Sequence, residues 1–363
     1  MATQRLADLI SPLQPVDCIN LIEGHKGKVE TRASVGTEKI RRYLRGGKRL
    51  KQHLHAHAGS TLLWTSISPQ LLGHTRDMLT IYPALNATKR ILALSHWGNF
   101  DRLFRSPATA LSAKVLVKRL EGIVFLNKQL ADKCADWLSP EQRLVIPNTI
   151  DDAVCASAEE IAEKQTNRQT NRQTDRASRQ TIRLLYLSNM IESKGYWDVL
   201  KAINLLNKQG VRCKARFAGR WLRDEDNIQF EAYLKENNLT DIVEHLGPVS
   251  DRAQVKKLHL WADTFLLPTY YPTEAQPLVL LEAMNAGTPI ITTAHSGIPE
   301  MLQNNVEGLF VPAQAPSSIA DAVTTLTDIE RWTRFSNNAY DKFNTAFSPS
   351  YVQNQWKALL ARQ

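Results

Sequence analysis

Short apolar runs recur along this chain at intervals that each leave room for a helix, and that alternation constrains the fold more than any other feature. Strand-like runs at 61–66, 90–95, 122–126 and 143–146 are separated by segments long enough for crossover helices. Parallel strands need such crossovers, so the pattern predicts an α/β sheet with helices on its faces. The rhythm restarts with a run at 182–187, a helix over 195–209, a run at 213–218, a helix over 228–237, and runs at 264–268 and 289–292. Single cores usually stop growing at roughly 250 to 300 residues, and this chain has 363. Two Rossmann-like, doubly wound α/β domains facing across a cleft are therefore expected, with ligands beyond the carboxyl ends of the strands.

The first domain is placed at 1–155, opening on a helix marked by Leu6, Leu9, Ile10 and Leu13, with 16–22 as a short strand. Residues 156–181 change composition abruptly: Thr166-Asn167-Arg168-Gln169 repeats at once as Thr170-Asn171-Arg172-Gln173. A polar, low-complexity tract of this kind reads as a flexible linker without a core. The second domain follows at 182–345, and 346–363 is expected as a C-terminal helix packing back on the first. Trp332, Phe335, Tyr340, Phe343 and Trp356 are the expected packing residues of the helical end of the chain.

Composition narrows the class. No stretch approaches the ~20 apolar residues of a membrane span, and the first residues lack the apolar run of a secretory signal, which reads as a cytoplasmic protein. Cys18, Cys134, Cys155 and Cys213 are too scattered for a zinc or redox motif. A net charge of +9 favours a polyanion as partner. The densest basic run is Lys39, Arg41, Arg42, Arg45, Lys48, Arg49 and Lys51, interleaved with Ile40, Tyr43, Leu44 and Leu50. It is read either as a solvated helix face or as an amphipathic helix resting peripherally on the inner face of an anionic plasma membrane. Nucleic acid is not expected, because the basic residues are not organised around stacking aromatics.

The chemistry is concentrated at 268–289, where a strand leads into a loop carrying Glu274 and then a helix from near Pro277 to Gly287, with Glu282 within it. Proline suits a helix start, and glycine suits the position just past its end. Free N–H groups at that start, with the helix dipole, suit a diphosphate. Carboxylates suit paired sugar hydroxyls.

These residues resemble the retaining nucleotide-sugar glycosyltransferases of family 4, also called group 1, which have the GT-B fold. The resemblance rests on Glu274-x7-Glu282, Glu282-Ala283-Met284, Gly287-x-Pro289, Gly297-Ile298-Pro299-Glu300 and Gly308. Pro147-Asn148-Thr149-Ile150-Asp151 resembles the turn that ends the family's first domain, and Leu187-Ser188-Asn189 with Lys194-Gly195 the loop after the first donor-domain strand. The resemblance implies that Glu274 contacts the donor sugar, Glu282 the ribose and Lys194 the diphosphate. Ala275, Gln276, Pro277 and Leu278 would line the donor at the helix start. Many members carry an arginine where this chain has Ser188 and Asn189; Arg220, after the next strand, is the candidate replacement. The neutral alternatives are an exposed helix carboxylate for Glu282 and a solvated loop lysine for Lys194, and their joint place in the longer string favours function.

In the first domain, Ser95-His96-Trp97-Gly98-Asn99-Phe100 resembles the family's histidine-glycine segment. This implies His96 near the reacting carbon or the acceptor and Asn99 beside it. Arg76 and Asp77 are candidates for the acceptor side, or simply a pair with each other. No metal or other cofactor is expected; the substrate is an NDP-sugar, UDP or GDP form, and the acceptor a glycan or lipid-linked glycan of a bacterial surface polysaccharide. The family retains anomeric configuration, commonly explained by front-face displacement. Its first domain normally begins with a strand and a glycine-rich loop, and this sequence starts on the helix near Thr3, so about one strand is expected to be missing. The competing reading is a catalytically impaired sugar-nucleotide-binding protein.

Overall fold

The structure is a computed structural model that describes residues 2–19, 37–65, 67–174 and 181–362. The chain forms two units, Met1–Pro147 with Gln355–Gln363, and Asn148–Asn354. The first boundary therefore falls inside the Pro147-Asn148 turn, ahead of the expected 155. The last helix, Pro349–Leu360, contributes its second half to the first unit, where Arg90 donates to the carbonyls of Leu359 (2.8 Å) and Leu360 (2.9 Å).

In the first unit, β1 (Thr61–Trp64), β2 (Arg90–Leu94), β3 (Gly122–Phe125) and β4 (Arg143–Val145) form a parallel sheet in that order. Its middle is a run of fully buried residues, Ile91 to Leu94 and Ile123 to Phe125, as a sheet covered on both faces requires. Residues 16–19 are irregular rather than strand, and 20–22 lie outside the described residues. The basic run lies on the helix Thr37–Ala56. Leu50 and Leu54 are buried, whereas Arg41, Arg45, Lys48, Lys51 and Leu44 are exposed. Gly47 lets this helix approach closely, because a Cβ there would lie 2.8 Å from the Leu79 carbonyl oxygen. Among the described residues, no helix is long and apolar enough to cross a membrane.

In the second unit, β5 (Ile182–Leu187), β6 (Cys213–Ala218), β7 (Val243–His245), β8 (Thr264–Leu267), β9 (Ile290–Thr292) and β10 (Gly308–Phe310) form a parallel sheet ordered β10-β9-β8-β5-β6-β7. The chain leaves β5 toward β6 and later leaves β8 toward β9, so the order reverses between the adjacent strands β5 and β8. Such a switch point opens a crevice at the carboxyl ends of the strands, where ligands bind.

The expected linker is corrected. Ala158–Thr174 is a helix of the second unit. Lys164 and Arg168, four apart and so on one face, are 6% and 2% exposed. Arg168 pairs with buried Asp263 at 2.7 Å and lies 4.8 Å from the centre of the Trp332 ring. Lys164 donates to Thr288 Oγ1 (2.6 Å) and to the carbonyls of His259 and Ala286 (both 3.0 Å). The polar composition misled because lysine and arginine are almost never fully buried unless they are partnered, and here Arg168 is ion-paired and Lys164 is held by three hydrogen bonds. Residues 175–180 lie outside the described residues.

Candidate active site

Two loops leave the sheet at the switch point. The loop after β5 passes Ser188 and Asn189 and ends in a turn at Glu192–Lys194. Gly195 follows with φ +83°, and a Cβ there would lie 2.6 Å from the Pro268 carbonyl oxygen. Only glycine fits that conformation and that approach. Gly219, after β6, is as tightly placed, since its Cβ would fall 1.8 Å from the Ser188 oxygen. The glycines thus press the loop against its neighbours and fix where Lys194 starts.

The loop after β8 meets it. The Tyr270 N–H donates to the Ser193 oxygen at 2.8 Å, and His295 contacts the Tyr271 oxygen at 2.9 Å. Ser296, held at φ +51°, donates to the backbone oxygen of Glu274 at 2.6 Å. These bonds present the Glu274 carboxylate to Lys194, and the two form an ion pair with side chains 9% and 15% exposed. Thr269 Oγ1 adds a 3.4 Å bond to the same carboxylate oxygen, and the Lys194 ammonium lies 4.7 Å from the Tyr271 ring centre. The sequence string thus brings an acid and a base together from the two strands that flank the switch point. A carboxylate and an ammonium held this way can accept hydroxyl protons and neutralise a phosphate, respectively.

Directly after Glu274, the helix Leu278–Asn285 starts at Pro277 without a side-chain cap. The N–H groups of Leu278 and Val279 therefore have no intrahelical partner, while that of Leu280 donates to the Pro277 oxygen at 3.1 Å. Ala275 and Pro277 are buried and Leu278 is half-buried. Gln276, expected on the donor, is 6% exposed and its Oε1 accepts the Asn148 N–H at 2.6 Å, so it ties the start of the unit to the loop instead. Asn189 is exposed. So is Arg220, whose guanidinium has no partner among the described residues.

Glu282 is not the exposed helix carboxylate of the neutral alternative. It is 2% exposed, and Arg252 donates to its Oε1 while holding Asp151 at 2.9 Å. Its Oε2 faces the fully buried His259 at 3.7 Å. Burial acts to raise the Glu282 carboxyl, but the facing His259 and Arg252 outweigh it and leave the group below its ordinary value. Arg252 and His259 were not legible as site residues, because only tertiary contact brings the helix Arg252–Trp261 to Glu282.

In the first unit, His96 follows β2 and is half-buried; burial pushes its imidazole below the ordinary value, so it is neutral at pH 7. Asn99 Oδ1 is buried without a hydrogen-bond partner. Arg76 Nε donates to Asp77 Oδ1 at 2.8 Å, and Asp77, fully buried, accepts the Ser68 N–H at 3.0 Å. The two residues form a pair that anchors a loop. Burial raises the Asp77 carboxyl to about 7, against the lowering effect of Arg76. Asp17, His53 and His57 bring three possible ligand atoms within 4.8 Å of one another, a group that includes none of the expected site residues.

The sequence profile described as "Glycosyl transferases group 1" matches residues 167–342. The amylovoran biosynthesis glycosyltransferase AmsK of Erwinia amylovora is 28% identical over 158 residues, 42% of this chain and 38% of that protein. WcaL of Salmonella typhimurium, whose name attaches it to colanic acid biosynthesis, is 28% identical over 187 residues, 49% of this chain and 45% of its own. The matched stretch thus spans under half of either relative. Among solved structures, Anabaena HepE in complex with UDP and glucose superposes with TM-score 0.66 at 16% identity, covering 92% of this chain and 84% of that one. Sucrose-phosphate synthase of Thermosynechococcus elongatus gives TM-score 0.66 at 16% identity, covering 89% and 77%. The architecture, two Rossmann-like domains with parallel sheets, is the GT-B fold.

Proposed function

We propose, from a chain related to the group 1 glycosyl transferases and built on the GT-B fold, that the protein moves a sugar from a nucleotide diphosphate donor to a glycan acceptor with retention of configuration. The observation that carries this reading is the Lys194–Glu274 pair, set on the loops that follow the two strands at the switch point, in front of an uncapped helix start. Donor binding exchanges partners. The diphosphate takes the Lys194 ammonium and the N–H groups at the helix start, and the sugar hydroxyls take the Glu274 carboxylate. Charge that builds on the leaving diphosphate then meets a cation and a helix dipole already in place, the arrangement that lowers a barrier most effectively. Arg220 is the second cation for the diphosphate.

Glu282 is committed to Arg252, and we assign it to holding the Leu278–Asn285 helix against the Arg252–Trp261 helix. His96 and Asn99 are assigned to the acceptor side, His96 as a neutral hydrogen-bonding group. Arg76 and Asp77 are released from that side by their pairing. Polysaccharide names among the relatives and UDP in HepE support a UDP-sugar donor and a bacterial surface glycan as product. Contact with an anionic membrane through the Thr37–Ala56 helix fits a lipid-linked acceptor.

The test is nucleotide release from a panel of UDP- and GDP-sugars, with and without membrane extract as acceptor. Release by the wild-type chain that Glu274→Ala abolishes supports transfer. Donor binding without release under any condition favours the impaired-binder reading.

A further inference from the structure

The turn that carries Lys194 also borders a cavity of about 410 Å³ that the transfer reaction leaves unused. Its walls come from the loops after β5, β8 and β10 and from the first two turns of the helix Tyr196–Lys208: Glu192, Trp197, Asp198, Lys201, Tyr270 and Gln314. Neither Lys194 nor Glu274 lines it. The volume falls within the ~300–1,000 Å³ of ligand pockets.

Asp198 is the informative residue. It is 8% exposed, lines the cavity, and its carboxylate accepts no hydrogen bond from any described residue; burial raises it above its ordinary value, with Lys201 acting to lower it and Glu192 to raise it. Its oxygens open to the cavity, and a carboxylate can only accept, so an occupant that binds Asp198 must bring donors. Phosphate is chiefly an acceptor, and the charges of both Asp198 and Glu192 oppose it. A hard divalent cation wants about six oxygen ligands, and the cavity offers two carboxylates beside the ammonium of Lys201. The remaining groups are the Tyr270 hydroxyl, which accepts a 3.3 Å bond from the Gln314 amide, and the Trp197 indole. A carboxylate, an amide, a phenol and an indole together match a neutral polyol with one apolar face.

We infer that this cavity is a saccharide subsite that takes one pyranose unit of a neutral glycan, separate from the Lys194–Glu274 site. Its hydroxyls donate to Asp198 and to the Gln314 carbonyl, and a C–H face lies on Trp197. The inference stands whether or not the chain transfers sugar.

Saturation-transfer NMR on the full chain, with methyl pyranosides of glucose, galactose, mannose and N-acetylglucosamine at millimolar concentration, tests it. At least one pyranoside is expected to give signal. Asp198→Ala should weaken that binding about tenfold or more, the loss expected for hydrogen bonds to a charged group. Gln314→Ala, at an exposed position, should weaken it in the same direction without risk to folding. Glu274→Ala should leave it unchanged. Signal from none of the pyranosides overturns the inference, as does signal that survives both cavity substitutions or disappears with Glu274→Ala. Displacement of the pyranoside by calcium or spermidine would overturn it in favour of an acidic cation site.

Discussion

Lys194 and Glu274 satisfy each other's charge, so either side chain removed leaves the other half-buried and unmatched, and both effects reach a bound donor. Glu274→Ala is expected to lower kcat by about 10²- to 10³-fold, the range for loss of one group that acts in the transition state, in a coupled assay of nucleotide release. Equal rates for variant and wild type would remove Glu274 from the reaction. A second residue-scale expectation concerns Asp77. Its folded-state pKa of about 7 lies above the unfolded value of about 3.9, so the folded state holds a proton that the unfolded chain has lost. Its contribution to stability is fully present below about pH 4 and is lost as pH rises toward 7. Urea melts from pH 4 to 8 should therefore show the wild type losing stability relative to Asp77→Asn across that window, with a constant difference above it. A flat difference throughout would contradict the burial argument. Residue identity made Glu274 and Lys194 legible in the sequence, because their spacing and local context survive without tertiary knowledge. The partners of Glu282 were not legible, since Arg252 lies 30 positions away on another helix and only packing brings it there.

At the scale of elements, most strands were placed to within one or two residues, and two were readable to the residue. Ile182–Leu187 is apolar but for Arg183, and Cys213–Ala218 alternates buried residues with Lys214 and Arg216. By contrast, β7 and β10 were not read: β7 carries Glu244 and His245 and β10 opens on Gly308, so neither three-residue strand is marked by an apolar run. The Ala158–Thr174 helix was missed for a different reason: its anchoring face is ionic, and composition treats charge as solvent-facing. That face predicts its own importance. Breaking a buried ion pair by removing one partner destabilises by roughly 3–5 kcal/mol, and Asp263 holds both Arg168 and Arg183. Asp263→Ala should lower the thermal midpoint by many degrees, and a midpoint within error of wild type would show that the helix is not anchored through this pair. Glu282→Gln belongs to the same scale. As a helix anchor it should lower the melting temperature more than it changes nucleotide affinity; lost affinity with an unchanged melting temperature would return Glu282 to the ribose.

For the whole molecule, the alternating pattern was enough to give two parallel α/β units, because sheet and crossover helix together leave few other solutions. The exact division was not, since Gln355–Gln363 joins the first unit across the length of the chain. Net charge belongs to this scale too. With +9 overall and Arg41, Arg45, Lys48 and Lys51 exposed along one helix, co-sedimentation with phosphatidylserine vesicles should exceed that with neutral vesicles and should fall steeply as salt shortens the screening length. Equal binding to both would assign these residues to solvation alone. The central claim is that the switch point of the second sheet is a nucleotide-sugar site organised by Lys194 and Glu274. Calorimetric titration of UDP into the wild-type chain and into Lys194→Ala tests it most directly. The account predicts binding to the wild type that weakens about tenfold or more in the variant, as the loss of a charge-assisted phosphate contact requires. UDP binding that is identical in the two proteins would contradict it.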